Sequence, residues 1–242
     1  GLVLGSSVHR TLELYHRSLQ DRKPVKVDQL HREFLNAWET RERDREIEFR
    51  KGDTRDDSIA QGIGLIEVYL KEPPPENIVA VEQEMIFPIH NSEGEILETP
   101  MVAVVDLLTK NDNGLTITEI KTSGRAYGNF EVESSLQPTS YVNAVWETFG
   151  EQAEVEYAIL VKTKTPKLQR LTTVRNEDDF GRLGDTVQAV ERAIDAKAFY
   201  PNETPLNCST CPYREPCREW KPSYSGVCPS DRQLQTAEVP AC

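Results

Sequence analysis

The chain has 242 residues, a formal net charge of -12, and 38% hydrophobic against 28% charged residues. That length can bury a sizeable core without cross-links, and the mixed composition excludes a disordered chain. The acidic balance excludes a uniformly basic nucleic-acid binder but leaves room for a restricted basic groove, and aliphatic runs no longer than Met101–Val105 exclude a membrane-spanning helix.

The start, GLVLGSS, has neither a basic flank nor a long apolar stretch, so no secretory signal is read and a cytoplasmic location is expected. Ser6 and Ser7 are read as caps for a helix over residues 7–20, in which Val8, Leu12, Tyr15 and Leu19 keep helical spacing. A second helix is predicted over 28–50, apolar early and heavily charged later, and a third over 56–71, stopped by Pro73-Pro74-Pro75. The apolar period then shifts from helical to alternating. Strands are predicted over 78–89, 100–109 and 115–121, the last two joined by the hairpin signal Asn111–Gly114. A helix over 133–149 ends near Gly150, strands follow over 154–162 and 168–174, and a long helix covers 177–198. From Tyr200 the chain is rich in Pro, Cys and Ser and has no clear period.

This order predicts an α/β domain over residues 1–200 with a mixed central sheet flanked by helices. Within it, residues 1–75 form a helical part, 76–175 the sheet core and 176–200 a closing helix. Residues 201–220 are a cysteine-rich metal-binding appendage and 221–242 a tail.

The chemistry concentrates around one hairpin. Glu119 and Lys121 point to one face of their strand, and Val102, Val104, Asp106 and Leu108 are expected to share a face of the neighbouring one. The hairpin then brings Asp106 and Glu119 together with Lys121 one step on. Two carboxylates at the ends of apolar strands suit Mg²⁺ or Mn²⁺, and a nearby ammonium can offset charge on a reacting phosphate. An exposed cross-strand ion pair is the plainer reading of the same residues. His9 is a candidate metal ligand, with His16 on a similar face as its competitor. Gln137 and Tyr141 share a helix face and can order the site. Arg125, Lys162, Lys164, Lys167 and Arg170 are candidate DNA contacts or ordinary surface charges.

All five cysteines fall at or after position 208, which is a poor disulfide framework for so long a chain. Cys208, Cys211 and Cys217 lie within ten residues of one another in a proline-rich stretch and can wrap zinc or an iron–sulfur centre, with Cys228 and Cys242 further downstream.

Together these motifs resemble the PD-(D/E)xK nuclease superfamily, in its RecB-like branch of AddB-type recombination and CRISPR adaptation nucleases. GSSVH (5–9) matches G-x-x-x-H, VVD (104–106) the metal-binding aspartate, and EIKTS (119–123) the acid–x–Lys core. QPTSY (137–141) matches Q-x-x-x-Y, and C-x2-C-x5-C (208–217) the iron–sulfur module. The resemblance runs to Trp220. It implies a restriction-endonuclease-like core and metal-dependent hydrolysis of DNA, probing ends or single strands as an exonuclease. It further implies that His9, Asp106, Glu119 and the main-chain carbonyl of Ile120 hold the metal, that Lys121 acts with the attacking water, and that Gln137 and Tyr141 organise the site and contact DNA. Cys208, Cys211 and Cys217 would hold a [4Fe–4S] cluster, its fourth cysteine upstream of residue 1 or, as a weaker candidate, Cys228. Recombination or CRISPR adaptation proteins would be partners. The rivals are a non-catalytic DNA-binding or scaffold domain on the same fold, and a zinc-binding interaction module.

Overall fold

The computed structural model describes residues 2–220 apart from 45, 46, 48, 50, 51 and 210. It contains two compact units, residues 1–188 and 189–242. In the first, α1 (Leu2–Gln20), α2 (Val27–Asp44) and α3 (Arg55–Tyr69) precede β1 (Ile78–Phe87), β2 (Met101–Asn111) and β3 (Gly114–Ser123). The helices α4 (Asn129–Glu133) and α5 (Leu136–Phe149) lead to β4 (Ala153–Val161), β5 (Lys167–Thr173) and α6 (Glu177–Asp195), whose last turns belong to the second unit. That unit also holds the short helices α7 (Pro205–Cys208) and α8 (Arg214–Arg218).

The first helix begins five residues earlier than the caps predicted. Val3, Leu4, Val8 and Leu12 are all buried, and covering the first two requires the extra turn. Ser6 therefore lies inside the helix, its hydroxyl donating to the carbonyls of Leu2 and Val3. By contrast, Thr54 and Asp57 form a reciprocal capping box that fixes the start of α3.

The five strands pair in chain order, with β1–β2, β2–β3 and β4–β5 antiparallel and β3–β4 parallel. A parallel pair needs a crossover, and α4 and α5 supply it. One sheet face packs Ile117, Val155 and Ile159 beneath Val142 and Val145 of α5. The opposite face packs Ile120, Ala158 and Leu160 beneath Leu4, Val8, Phe34 and Leu65 of the three N-terminal helices.

Two departures from regular pairing shape the centre of this sheet. Pairing between β2 and β3 runs from Asn111–Gly114 only as far as Leu107–Thr118, whereas β2 stays paired to β1 out to Met101 and β3 stays paired to β4 out to Ser123. The sheet thus forks, and the first residues past the fork are Asp106 and Glu119. Directly across β1 from Asp106, Glu82 adopts φ 46°, in the left-handed region. Strict alternation breaks there. Ala80 and Met85 on β1, and Val105 and Leu108 on β2, enter the same core, while Val102 and Val104 are exposed. The expectation that Val102, Val104, Asp106 and Leu108 share a face is therefore corrected: alternation on β2 breaks between Val105 and Leu108, which puts Leu108 on the opposite side from the two valines.

The N-terminal half of α6 crosses the loop after β1 with no room for a side chain at Gly184, where a Cβ would lie 2.0 Å from the His90 carbonyl oxygen. Gly184→Ala is expected to destabilise the first unit by about 1–3 kcal/mol, the usual cost of overpacking. Thermal denaturation checks this, and an unchanged melting temperature would contradict the close approach.

Candidate metal centre

Asp106 sits in the fork, its side chain 11% exposed. Because β2 no longer pairs with β3 there, the Ile120 N–H is free for a side chain, and it donates to Asp106 Oδ2 at 2.7 Å. The other oxygen, Oδ1, faces His9 Nδ1 at 3.6 Å. His9 reaches this point because α1 lies close on β3: a Cβ at Gly5, one turn before His9, would be 3.0 Å from Thr122 Oγ1. A glycine at that position lets the helix approach. Ile120 itself buries its side chain against the N-terminal helices and pairs with Ala158.

Glu82 completes the cluster from the other side. One ligand atom each from His9, Glu82 and Asp106 lies within 4.8 Å of the others, the sole such group of metal-ligating side chains among the described residues. Glu82 was not singled out in the sequence. The stretch AVEQEMIF offers Glu82 and Glu84 alike, and the left-handed backbone that selects Glu82 leaves no compositional mark.

Glu119 is 3% exposed and lies outside that trio. Its Oε1 contacts Lys121 Nζ at 2.5 Å and accepts from Gln137 Nε2 at 3.1 Å. The same Gln137 amide donates to the Tyr141 hydroxyl at 2.6 Å. The second oxygen, Oε2, is buried with no hydrogen-bond partner among the described residues. A buried carboxylate oxygen is normally satisfied, so an orphan of this kind beside Asp106 is the feature that a bound cation would resolve. The donors are carboxylate oxygens and one imidazole, a set that fits Mg²⁺ or Mn²⁺.

The electrostatics match. Burial and the neighbouring Asp106 charge push Glu119 up, opposed by Lys121. Burial, reinforced by Asp106 and Glu13, raises Glu82 to about 7. Burial pulls His9 down, but its hydrogen bond to Asp106 and the charges of Asp106, Glu119 and Glu82 more than offset this and leave it raised. For Lys121 the penalty of burial is likewise exceeded by Glu119, so the amine is held as ammonium. The site carries more negative charge than its own cations balance.

A second residue missed in the sequence braces the site from behind. Arg175, 7% exposed, donates to the carbonyls of Val132, Glu133 and Ser135 and to Thr139 Oγ1. It thereby ties the α4–α5 corner on both sides of Gln137. Nothing in the sequence separates it from a surface arginine.

Other expected residues lie apart. His16 is fully buried, its Nε2 2.9 Å from the Tyr69 hydroxyl, and burial lowers it to about 4. It belongs to the helical core and not to the metal group. Arg125 is bound to Glu131 through two nitrogens, and Arg170 pairs with Glu156 and Glu72. Lys164 and Lys167 are exposed, and Lys162 follows the end of β4 half-buried. In the second unit Cys208 ends α7, Cys217 lies in α8, and Cys211 lies between them, all three partly exposed free thiols. Cys228 and Cys242 lie outside the described residues.

The raised Glu82 yields a stability prediction. The folded chain holds that proton more tightly than the unfolded chain, so the associated stabilisation is complete below the ordinary glutamate range and is lost as pH rises through about 7. In the presence of EDTA, melting temperatures taken from pH 5 to 9 should fall more steeply for the wild type than for Glu82→Gln. Parallel curves would contradict the assignment.

No curated protein matches the chain. A crystal structure from Eubacterium rectale, described as a candidate exonuclease, shares the fold with a TM-score of 0.51 at 14% identity, over 86% of this chain and 77% of its own. The family model of the PD-(D/E)XK nuclease superfamily matches residues 2–218. That match covers almost the whole chain, and the chain is therefore a member of the PD-(D/E)XK nuclease superfamily.

Proposed function

We propose that the chain is a divalent-metal-dependent deoxyribonuclease acting as an exonuclease on DNA ends or single strands. The observation that carries this reading is the fork itself, where Asp106, Glu82 and His9 converge beside a buried Glu119 with an orphan oxygen. The Eubacterium rectale relative, by its description, supports the exonuclease choice.

In this reading His9, Glu82, Asp106, Glu119 and the Ile120 carbonyl hold Mg²⁺ or Mn²⁺, which when bound activates water and offsets charge on the phosphate. Asp106 is oriented by the Ile120 N–H, and Glu119 by Gln137. Lys121, kept cationic by Glu119, stabilises negative charge developing on the phosphate oxygens. Tyr141 holds the Gln137 amide in place. Arg125 and Arg170 are paired to carboxylates, and the exposed Lys164 and Lys167 are the DNA contacts this reading favours.

The three thiols of the second unit are read as ligands of a [4Fe–4S] cluster, since soft sulfur donors favour iron–sulfur or zinc centres. The fourth ligand comes from outside the described residues, with Cys228 one source. Recombination or CRISPR adaptation proteins in the cytoplasm are the partners this reading favours.

End-labelled linear and circular single-stranded DNA, incubated with and without Mn²⁺, tests the activity. Linear strands should shorten from an end and circles should resist. Lys121→Ala should lower the rate by roughly 10²–10³ while the protein stays folded. His9→Ala should weaken Mn²⁺ binding, whereas His16→Ala should lower stability instead. Wild-type turnover in Lys121→Ala would overturn the role given to that lysine.

A further inference from the structure

A cavity of about 330 Å³ lies in the first unit, on the side of the sheet that faces α1 and α3. Its volume is at the lower end of small-molecule sites, and none of the metal-site side chains lines it. The floor is polar. Thr116 and Thr118 of β3 lie directly beside Glu154 and Glu156 of β4. From α1 the half-buried Tyr15 adds an aromatic wall, set edge-on against Tyr69 with ring centroids 6.4 Å apart. Glu72, in the segment after α3, closes the far side.

The charge of this lining is unbalanced. Three carboxylates, Glu72, Glu154 and Glu156, face one guanidinium, Arg170, which is already bound to Glu156 and lies 3.7 Å from Glu72. Glu154 enters no ion pair among the described residues, so two negative charges are left over. Thr118 points to a ligand independently. It is 5% exposed, and its side chain shares the cavity face with Thr116, because Ile117 between them enters the opposite core. Its hydroxyl makes no hydrogen bond among the described residues, whereas a buried hydroxyl is normally satisfied.

A single metal ion does not suit these groups. Among the described residues only His9, Glu82 and Asp106 converge closely enough to share one, and Glu154 and Glu156 sit roughly 7 Å apart along their strand. The balancing charge must be spread over a similar distance. A linear aliphatic diamine does this with two ammonium groups, each carrying three donors for carboxylate and hydroxyl oxygens. Its methylenes can pack on the Tyr15 ring, whose face also attracts a cation.

We infer that this cavity is a binding site for a linear aliphatic diamine. The inference does not depend on the nuclease reading. Leu107 and Thr118, both lining the cavity, form the last β2–β3 pair before the fork, and Asp106 and Glu119 are the next residues along those strands. A ligand held there braces the pair from which the metal group opens.

Calorimetric titration of the full chain with diaminobutane, at neutral pH and with excess Mg²⁺ offered to the fork, tests this. The wild type should show one saturable site, and butanediol, of equal length without the charges, should show none. Glu154 is exposed, so Glu154→Gln should stay folded, and it should bind diaminobutane about ten-fold more weakly. Thr118→Val, which keeps the shape and removes the hydroxyl, should cost about three-fold. Equal binding of butanediol, no saturable heat with diaminobutane, or wild-type affinity in a folded Glu154→Gln would each overturn the site. A diamine held at the fork instead would leave both variants at wild-type affinity.

Discussion

The architecture of the site depends on the loss of one set of strand contacts. Where β2 and β3 stop pairing, their backbone groups would lose partners at a cost comparable to a hydrogen bond each. Asp106 repairs part of this by accepting the Ile120 N–H with one carboxylate oxygen, which leaves the other free to face His9. A side chain that substitutes for a strand partner is fixed in both position and orientation. That is what a preorganised metal ligand requires, and it comes from the sheet without a flexible loop.

The surrounding elements are arranged about that gap. Gly5 lets α1 approach β3 closely enough to present His9, and the left-handed turn of backbone at Glu82 redirects β1 toward the same point. On the opposite face Arg175 locks the corner that precedes α5, so that Gln137 reaches Glu119. The result concentrates three carboxylates at low exposure, with Lys121 and His9 beside them. Such a cluster is electrostatically unfavourable alone, and the same arrangement becomes favourable once a divalent cation replaces the missing positive charge. The overall charge of -12 is thus compatible with the proposed action on a polyanion, in which a cation held at the fork, and not a basic surface, would bring the phosphate in.

Much of this was readable in the sequence because it is carried by residue type and spacing. The Asn111–Gly114 hairpin placed Asp106 near Glu119, and the Gln137–Tyr141 interval placed both on one helix face. What was not readable came from backbone geometry. Broken alternation on β2 put Leu108 on the other face, the left-handed Glu82 on β1 brought in a fourth acidic or imidazole side chain, and no residue preference announces either. The start of α1 was misplaced for a related reason: serines cap helices in isolation, but burying Val3 and Leu4 outweighed the cap. Histidine at 9 and at 16 looked alike along the helix, and only the packing of Tyr69 against the second separates a core histidine from a candidate ligand.

The central claim is that the fork between β2 and β3 is a divalent-cation site built on Asp106. Crystals grown with Mn²⁺ and measured at a wavelength where manganese scatters anomalously test it directly. The account predicts an anomalous peak in contact with Asp106 and shared with His9, Glu82 or Glu119. A well-occupied manganese elsewhere on the chain, with the fork left empty at the same concentration, would contradict it.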